Sequence, residues 1–370
     1  MFRALFLFFR QLNWLLIAPA LLLVIYGLIV SFSLGAVKLP VDFSLFWKQV
    51  IFSIVGVLLL FLFSVIDYRY YRSWGSAIYI FAVAVSIGVL LFGTTIRATK
   101  GWFVIFGMTI QVVEFVKVMF IIALSAYFSR LKSSLVRFRD LFISALGIGA
   151  LVFLTFLQRD MGSGLLLLCI YLGMLFLVRT RKSHMILLAA VLIAASIFSW
   201  FFILQPFQKE RILTFLHPSR DPLGIGYNVK QSTIAIGSGQ WFGRGLTLGS
   251  QSRLDFLPER QNDFIFAVIG EALGFAGILV LFSLFIALYY QMLRIARRSR
   301  DDFGILLAGG IAIALMLQTA VNISTNIGLL PIAGLPLPFL SAGGSSLMVS
   351  FLSVGIVASI DLRQRVGMAK

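Results

Sequence analysis

Cysteine is almost missing from this chain. Cys169 is the single one in 370 residues, and it lies inside an apolar run. That excludes an intramolecular disulfide and a cysteine metal cluster. Histidine is nearly as scarce. His184 and His217 stand far apart without ligand spacing, so they give no basis for a zinc site. Charge of either sign is thin at 12% of residues, and acids are the rarer kind, 14 against 31 Lys and Arg. A water-soluble chain of this length needs far more polar surface. Strict apolar–polar alternation is also missing from the long apolar runs, which argues against a transmembrane β-barrel.

What the chain has is hydrophobic residues, 60% of the total, and a mean hydropathy of +1.01. They fall into ten apolar segments at about 14–34, 49–66, 74–92, 111–128, 139–157, 163–178, 184–204, 264–293, 303–324 and 345–360. Each is about long enough for a helix to cross a hydrocarbon core of ~30 Å. The expectation is an all-α polytopic membrane protein, a single domain over residues 1–370 with ten transmembrane helices. The opening MFRALFLFFRQLNW is basic and then apolar, like a signal peptide. The run after it, LLIAPALLLVIYGLIVSFSL, is long and has no convincing cleavage site, so it is read as a retained first helix.

The formal charge of +17 is better explained by topology than by nucleic acid. The tails and alternate loops on one side carry 18 Lys and Arg, and the four short loops of the other side carry 5. By the positive-inside rule both termini are expected in the cytoplasm. A long connection, 205–263, falls on the external side between helices seven and eight. It is not low-complexity and is expected to pack on the bundle and to be functional. Its seven basic residues, among them Lys209, Arg211, Lys230 and Arg244, suit an anionic ligand near the outer leaflet.

Polar residues inside such a chain single themselves out. Glu114 and Lys117 sit three apart in QVVEFVKVMF and share a helix face. They read either as a neutralised pair that fixes packing or as functional groups facing a wet interior. Asp160, in FLQRDMGSG, reads as a helix N-cap in a short turn or as an external acid. Asp263 closes the polar knot PERQND at the lip of the eighth segment. An N-cap there would need one carboxylate and would leave Glu259, Arg260, Gln261 and Asn262 unexplained. Glu271, two turns deeper, is a weaker candidate of the same kind. The last external connection, IGLLPIAGLPLPFLSAGGSS, is uncharged, and GGSS opens the tenth helix with N–H groups that could hold an anion or a sugar hydroxyl.

Four blocks then resemble a known family. DPLGIGYNVKQSTIAIGSGQWFGRGL (221–246), DFLPERQNDFIFAVIGEALGFAG (255–277), GLPLPFLSAGGSS (334–346) and FLQRDMGSG (156–164) occur in the order seen in SEDS proteins (shape, elongation, division, sporulation). The likeness spans nearly the whole chain. QSTIAIGSG and the short tails look more like the elongation branch, RodA, than the division branch, FtsW. The resemblance implies ten transmembrane helices, a large external loop between helices seven and eight, and peptidoglycan glycosyltransfer. It implies lipid II (an undecaprenyl diphosphate-linked disaccharide-pentapeptide) as substrate, the cytoplasmic membrane as location, and a class B penicillin-binding protein and the elongation machinery as partners. No nucleic acid is implied. Asp263 matches the family's essential carboxylate and is expected to act as general base. Glu114 and Lys117 match its helix-four polar pair, and Asp160 matches its acid between helices five and six.

Arg211, Arg244, Glu259, Arg260 and Ser345 complete the expected substrate-binding set, and a divalent cation, Mg or Mn, is a further expectation. Two positions depart from the family pattern. QVVE replaces QPSE before helix four, and SAGGSS replaces SYGGSS, with Ala342 in place of the aromatic. Two other classes fit the residues: a lipid II flippase and a non-catalytic scaffold. The placing of Asp263 at the external interface favours the enzyme.

Overall fold

A computed structural model of the protein describes residues 10–37, 41–96, 99–105, 107–131, 136–178, 180–202, 204–217, 224–247 and 261–366. Its long helices are α1 (Trp14–Val37), α2 (Ser44–Val65), α3 (Arg69–Phe92), α4 (Val112–Ser129), α5 (Phe138–Leu157), α6 (Met161–Leu177), α7 (Lys182–Phe202), α10 (Ile265–Arg298), α11 (Asp302–Asn326) and α12 (Gly344–Val366). Among the described residues nine of these are long and apolar enough to cross a membrane. The remaining expected segment is α6, whose 17 residues span about 25 Å. The chain is therefore an all-α polytopic membrane protein with a small added sheet. Lys48 and Arg72, counted in loops from sequence, lie within the first turns of α2 and α3.

Large apolar side chains such as Leu58, Phe92 and Phe176 point outward, as suits a surface bathed in lipid tails. In that solvent burial of apolar area does not drive helices together, and close packing does. The α2–α12 pair shows how. A side chain at Gly355 would run into the backbone of Leu60, so the two helices touch along bare main chain. α12 is almost wholly buried and forms the axis of the bundle, whereas α7 lies at its edge.

Two connections carry structure that the sequence reading left as loop. Residues 94–111 form a three-stranded antiparallel sheet, β1 (Thr94–Ile96), β2 (Thr99–Ile105) and β3 (Met108–Gln111), in the order β1-β2-β3. β2 and β3 pair with Ile105 opposite Met108, and Gly107 at φ +76° closes the turn. Val, Ile, Thr, Trp and Phe in this stretch favour a pleated, half-buried strand. The connection 205–263 holds α8 (Pro206–Leu216) and α9 (Ile225–Ser238).

α10 is two helical pieces joined at Gly274, which takes φ 64° and ψ −161°, a conformation open to glycine. A break at membrane depth orphans backbone groups that have no water to turn to. The chain after α9 supplies them. Gln240 O and Trp241 O accept from Phe275 N (2.8 Å) and Ala276 N (3.0 Å). Arg244 N and Gly245 N donate to Glu271 O and Ala272 O, both at 2.9 Å. Tyr26 of α1 donates to Gly277 O at 3.2 Å, and Ser33 of α1 donates to Leu246 O. The chain after α9 is thus locked into the wall of the bundle.

Candidate active site

Four elements meet where α4 begins. Lys117 is buried, and its Nζ donates to Glu114 Oε1 at 2.8 Å and to Gln318 Oε1 of α11 at 2.7 Å. Gln318 Nε2 in turn donates to Pro336 O (2.9 Å) and Ser346 Oγ (3.2 Å). A buried ion pair is tolerable only when hydrogen bonds satisfy the charges as this one's do. Glu114 lies in the first turn of α4, where the helix dipole also favours it.

Gln111 joins this cluster to its neighbours. It is the last residue of β3 and the N-cap of α4, with extended backbone. Its N–H donates to Ser345 Oγ at 2.7 Å, and its side-chain amide donates to Asp160 Oδ2 at 3.1 Å. The altered QVVE motif therefore enters the helix directly from a strand. Ser345 serves here as an acceptor that anchors this junction.

Asp160 takes the cap geometry. It is the N-cap of α6 and accepts from Ser163 N (3.0 Å) and Ser163 Oγ (2.9 Å). Loss of hydration raises its pKa above the ordinary aspartate value, with the Ser163 bonds opposing and nearby Glu114 adding to the rise. The sheet holds this turn in place, since Lys100 N donates to Gln158 O at 2.9 Å.

Asp263 stands in the turn before α10. The N-cap of that helix is Phe264, with no side-chain cap bond, so a helix cap does not explain Asp263. Its main chain is clamped from α11. Asn322 Nδ2 and Asn326 Nδ2 both donate to Asp263 O, at 3.0 and 2.8 Å. Ser341 Oγ donates to Asn262 O (2.6 Å), and Ala342 N donates to Gln261 O (2.9 Å). Asn322 also holds Leu335 O at 2.8 Å.

The segment 333–334 lies between the two acids. A side chain at Gly162 would strike the carbonyl of Ala333, and a Cβ at Gly334 would stand 4.0 Å from Asp263 Oδ2. One thin run of small residues thus separates the Asp160 turn from the Asp263 carboxylate.

The structure gathers Glu114, Lys117, Asp160 and Ser345 and sets Asp263 across that thin segment. Arg211 lies apart from them, in a pocket between α8, α9 and the connection after α11. Arg244 is not part of the group. Its backbone pairs with Glu271, eight residues along α10 from Asp263, or about 12 Å. Its exposed guanidinium donates to Ser238 O at 3.1 Å. Glu271 is fully buried. Glu259 and Arg260 lie outside the described residues.

Sequence reasoning missed Gln318, Asn322 and Asn326. Their signal was available: three amides spaced four apart on one face of an apolar helix. Among the described residues no three His, Cys, Asp or Glu converge to hold a metal. The described residues alone therefore do not build a metal cage.

The family model of the cell cycle proteins FtsW, RodA and SpoVE matches residues 13–366. The chain belongs to this family. Among the relatives of this FtsW/RodA/SpoVE protein, stage V sporulation protein E of Bacillus subtilis is 34% identical, over 95% of this chain and 97% of its own. Peptidoglycan glycosyltransferase MrdB of Escherichia coli is 34% identical over 94% of each. In fold, a chain of a peptidoglycan synthase complex that coordinates polymerization and crosslinking superposes with a TM-score of 0.80 at 27% identity, over 95% of this chain and 98% of that one. The rod shape determining protein RodA of Thermus thermophilus shares the fold with a TM-score of 0.69 at 24% identity, over 95% and 96%.

Proposed function

We propose that the protein is a peptidoglycan glycosyltransferase of the RodA kind. It polymerises lipid II at the external face of the cytoplasmic membrane, with both termini in the cytoplasm. The family and the named activity of its relatives support the reaction class. The observation that carries the site is Asp263, with its backbone clamped by Asn322 and Asn326 and its carboxylate facing the bare flank of Gly334. A rigidly held acid beside a wall without a side chain suits a general base that must keep a fixed position.

The acceptor sugar's 4-hydroxyl is a weak nucleophile until its proton leaves. Asp263 takes that proton as the oxygen attacks the donor's anomeric carbon. The new C–O bond forms as the bond from that carbon to the lipid diphosphate breaks, and the diphosphate carries the electron pair away. One displacement inverts the carbon and needs no enzyme nucleophile. Charge gathers on the leaving group, and a cation must meet it. Lys117 is already neutralised by Glu114, so its contribution is to hold α4, α11 and the 333–346 segment in register. Arg211 has no acid partner among the described residues, which makes it the better placed of the expected cations. The likeness to a synthase-complex chain supports a class B penicillin-binding protein as crosslinking partner within an elongation assembly.

The test supplies the purified protein with lipid II, alone and with a class B transpeptidase. Glycan polymer on a gel is the expected product. Lipid II translocation between leaflets without any polymer would replace this reading with that of a flippase.

A further inference from the structure

A second pocket opens at the external end of the molecule, away from the Glu114–Lys117 cluster. Arg211, Thr214 and Phe215 line it from α8, Val229 from α9, and Pro331 and Ile332 from the connection after α11. Two of its polar groups are uncommitted. Arg211 is half-buried and forms no ion pair or hydrogen bond among the described residues. Thr214 is 1% exposed, and its Oγ1 has no hydrogen-bond partner there. Buried hydroxyls are nearly always paired in folded proteins, so an unpaired one beside an unpaired guanidinium points to a missing ligand.

α11 orders the pockets around Asp263. Gln318 holds Lys117, Asn322 and Asn326 hold the Asp263 backbone, and Pro331 and Ile332 follow in the outer pocket. Eight residues from Gln318 to Asn326 make about 12 Å. The outer pocket therefore lies on the far side of Asp263 from the Lys117 cluster. It also lies close to the end of an apolar span in the chain, since α8 starts four residues after α7 ends.

We propose that this pocket is a subsite for an oxyanion group of the lipid-linked saccharide substrate, with Arg211 as ion-pair partner and Thr214 Oγ1 as hydrogen-bond donor. The inference rests on the glycosyltransferase reading and assigns part of the substrate to a place. A guanidinium presents two parallel donors to a phosphate or carboxylate. The apolar walls of Phe215, Val229, Pro331 and Ile332 strengthen such a pair by lowering the local dielectric. Two parts of the substrate share this chemistry, the diphosphate between lipid and sugar and the carboxylates of the peptide.

The experiment measures binding without turnover, on the full chain in nanodiscs of zwitterionic lipid. The probes are a short polyprenyl diphosphate and a soluble disaccharide-pentapeptide. Arg211→Gln is expected to weaken binding of at least one probe tenfold or more, and the isosteric Thr214→Val severalfold, with the melting temperature unchanged. Lys209→Gln, on the same helix but not lining the pocket, is expected to bind as wild type does. The probe that responds to Arg211 identifies the oxyanion. Wild-type binding of both probes by Arg211→Gln and Thr214→Val overturns the subsite, as does an equal loss in Lys209→Gln. Either overturning result leaves the glycosyltransferase reading intact, because polymer formation is scored separately.

Discussion

At the scale of single residues, a group that reacts differs from the groups that position it. In the proposed reaction Asp263 takes a proton, a contribution worth about 10²–10⁴ in rate. Asn322 is asked only to hold the Asp263 and Leu335 carbonyls. Asn322→Leu leaves the Leu335 carbonyl without this donor, a cost of about 1–3 kcal/mol where buried, and leaves the Asp263 carbonyl to Asn326 alone. Lower thermal stability and slower polymerisation with little change in KM are expected. The Glu114–Lys117 pair gives a sharper test. Lys117→Met alone strands a buried carboxylate, and breaking such a pair costs about 3–5 kcal/mol. The double variant Glu114→Gln/Lys117→Met is expected to recover much of that loss in a thermal melt. If the double variant melts no higher than Lys117→Met, the pair is not what holds these helices together.

The same residues show what could be seen beforehand. Glu114 and Lys117 were legible because two charges in an apolar run have few places to go. Asp263 was legible because a whole polar knot exceeds the needs of a cap. Its clamp is a tertiary fact, as α11 meets the 261–263 turn only in the folded chain. The place of Arg244 was hidden for the same reason. Basic residues of one loop look equivalent until the fold separates them, and the Gly274 break draws this one two turns along α10.

At the scale of elements, helix positions followed from apolar run length, which a bilayer dictates. The sheet at 94–111 is too short to compete with such a signal, although its β-branched and aromatic residues were there to read. The break in α10 was hidden because Gly274 sits in an otherwise unbroken apolar segment. Gly274→Val is expected to lower stability by more than the cost of about 1–3 kcal/mol for holding a side chain at a sparsely populated φ, because its Cβ would also strike the Gly239 and Gly243 backbone, as measured by thermal unfolding. α6 carries a pH prediction through its cap. The folded Asp160 carboxyl titrates above its unfolded value of 3.8, so the native state binds the proton more tightly. Its contribution therefore falls as pH rises from about 3.8 through the folded pKa. Asp160→Asn keeps a cap of similar quality and removes that slope. Its melting temperature relative to wild type is expected to rise across that window and then level off. A constant difference from acid to neutral pH would contradict the burial argument.

At the scale of the whole molecule, the bundle holds a buried ionic cluster, a clamped acid and an outer cationic pocket in sequence along α11. That order suits a polymerase, which must seat an acceptor sugar against its base while a charged lipid leaves. The measurement that tests this most directly compares wild type with Asp263→Asn for lipid II polymerisation, in the presence of the cognate class B transpeptidase. The account predicts that polymer is lost, at least 100-fold, while melting temperature and partner binding stay at wild-type values. Equal polymer from both proteins would show that the base lies elsewhere.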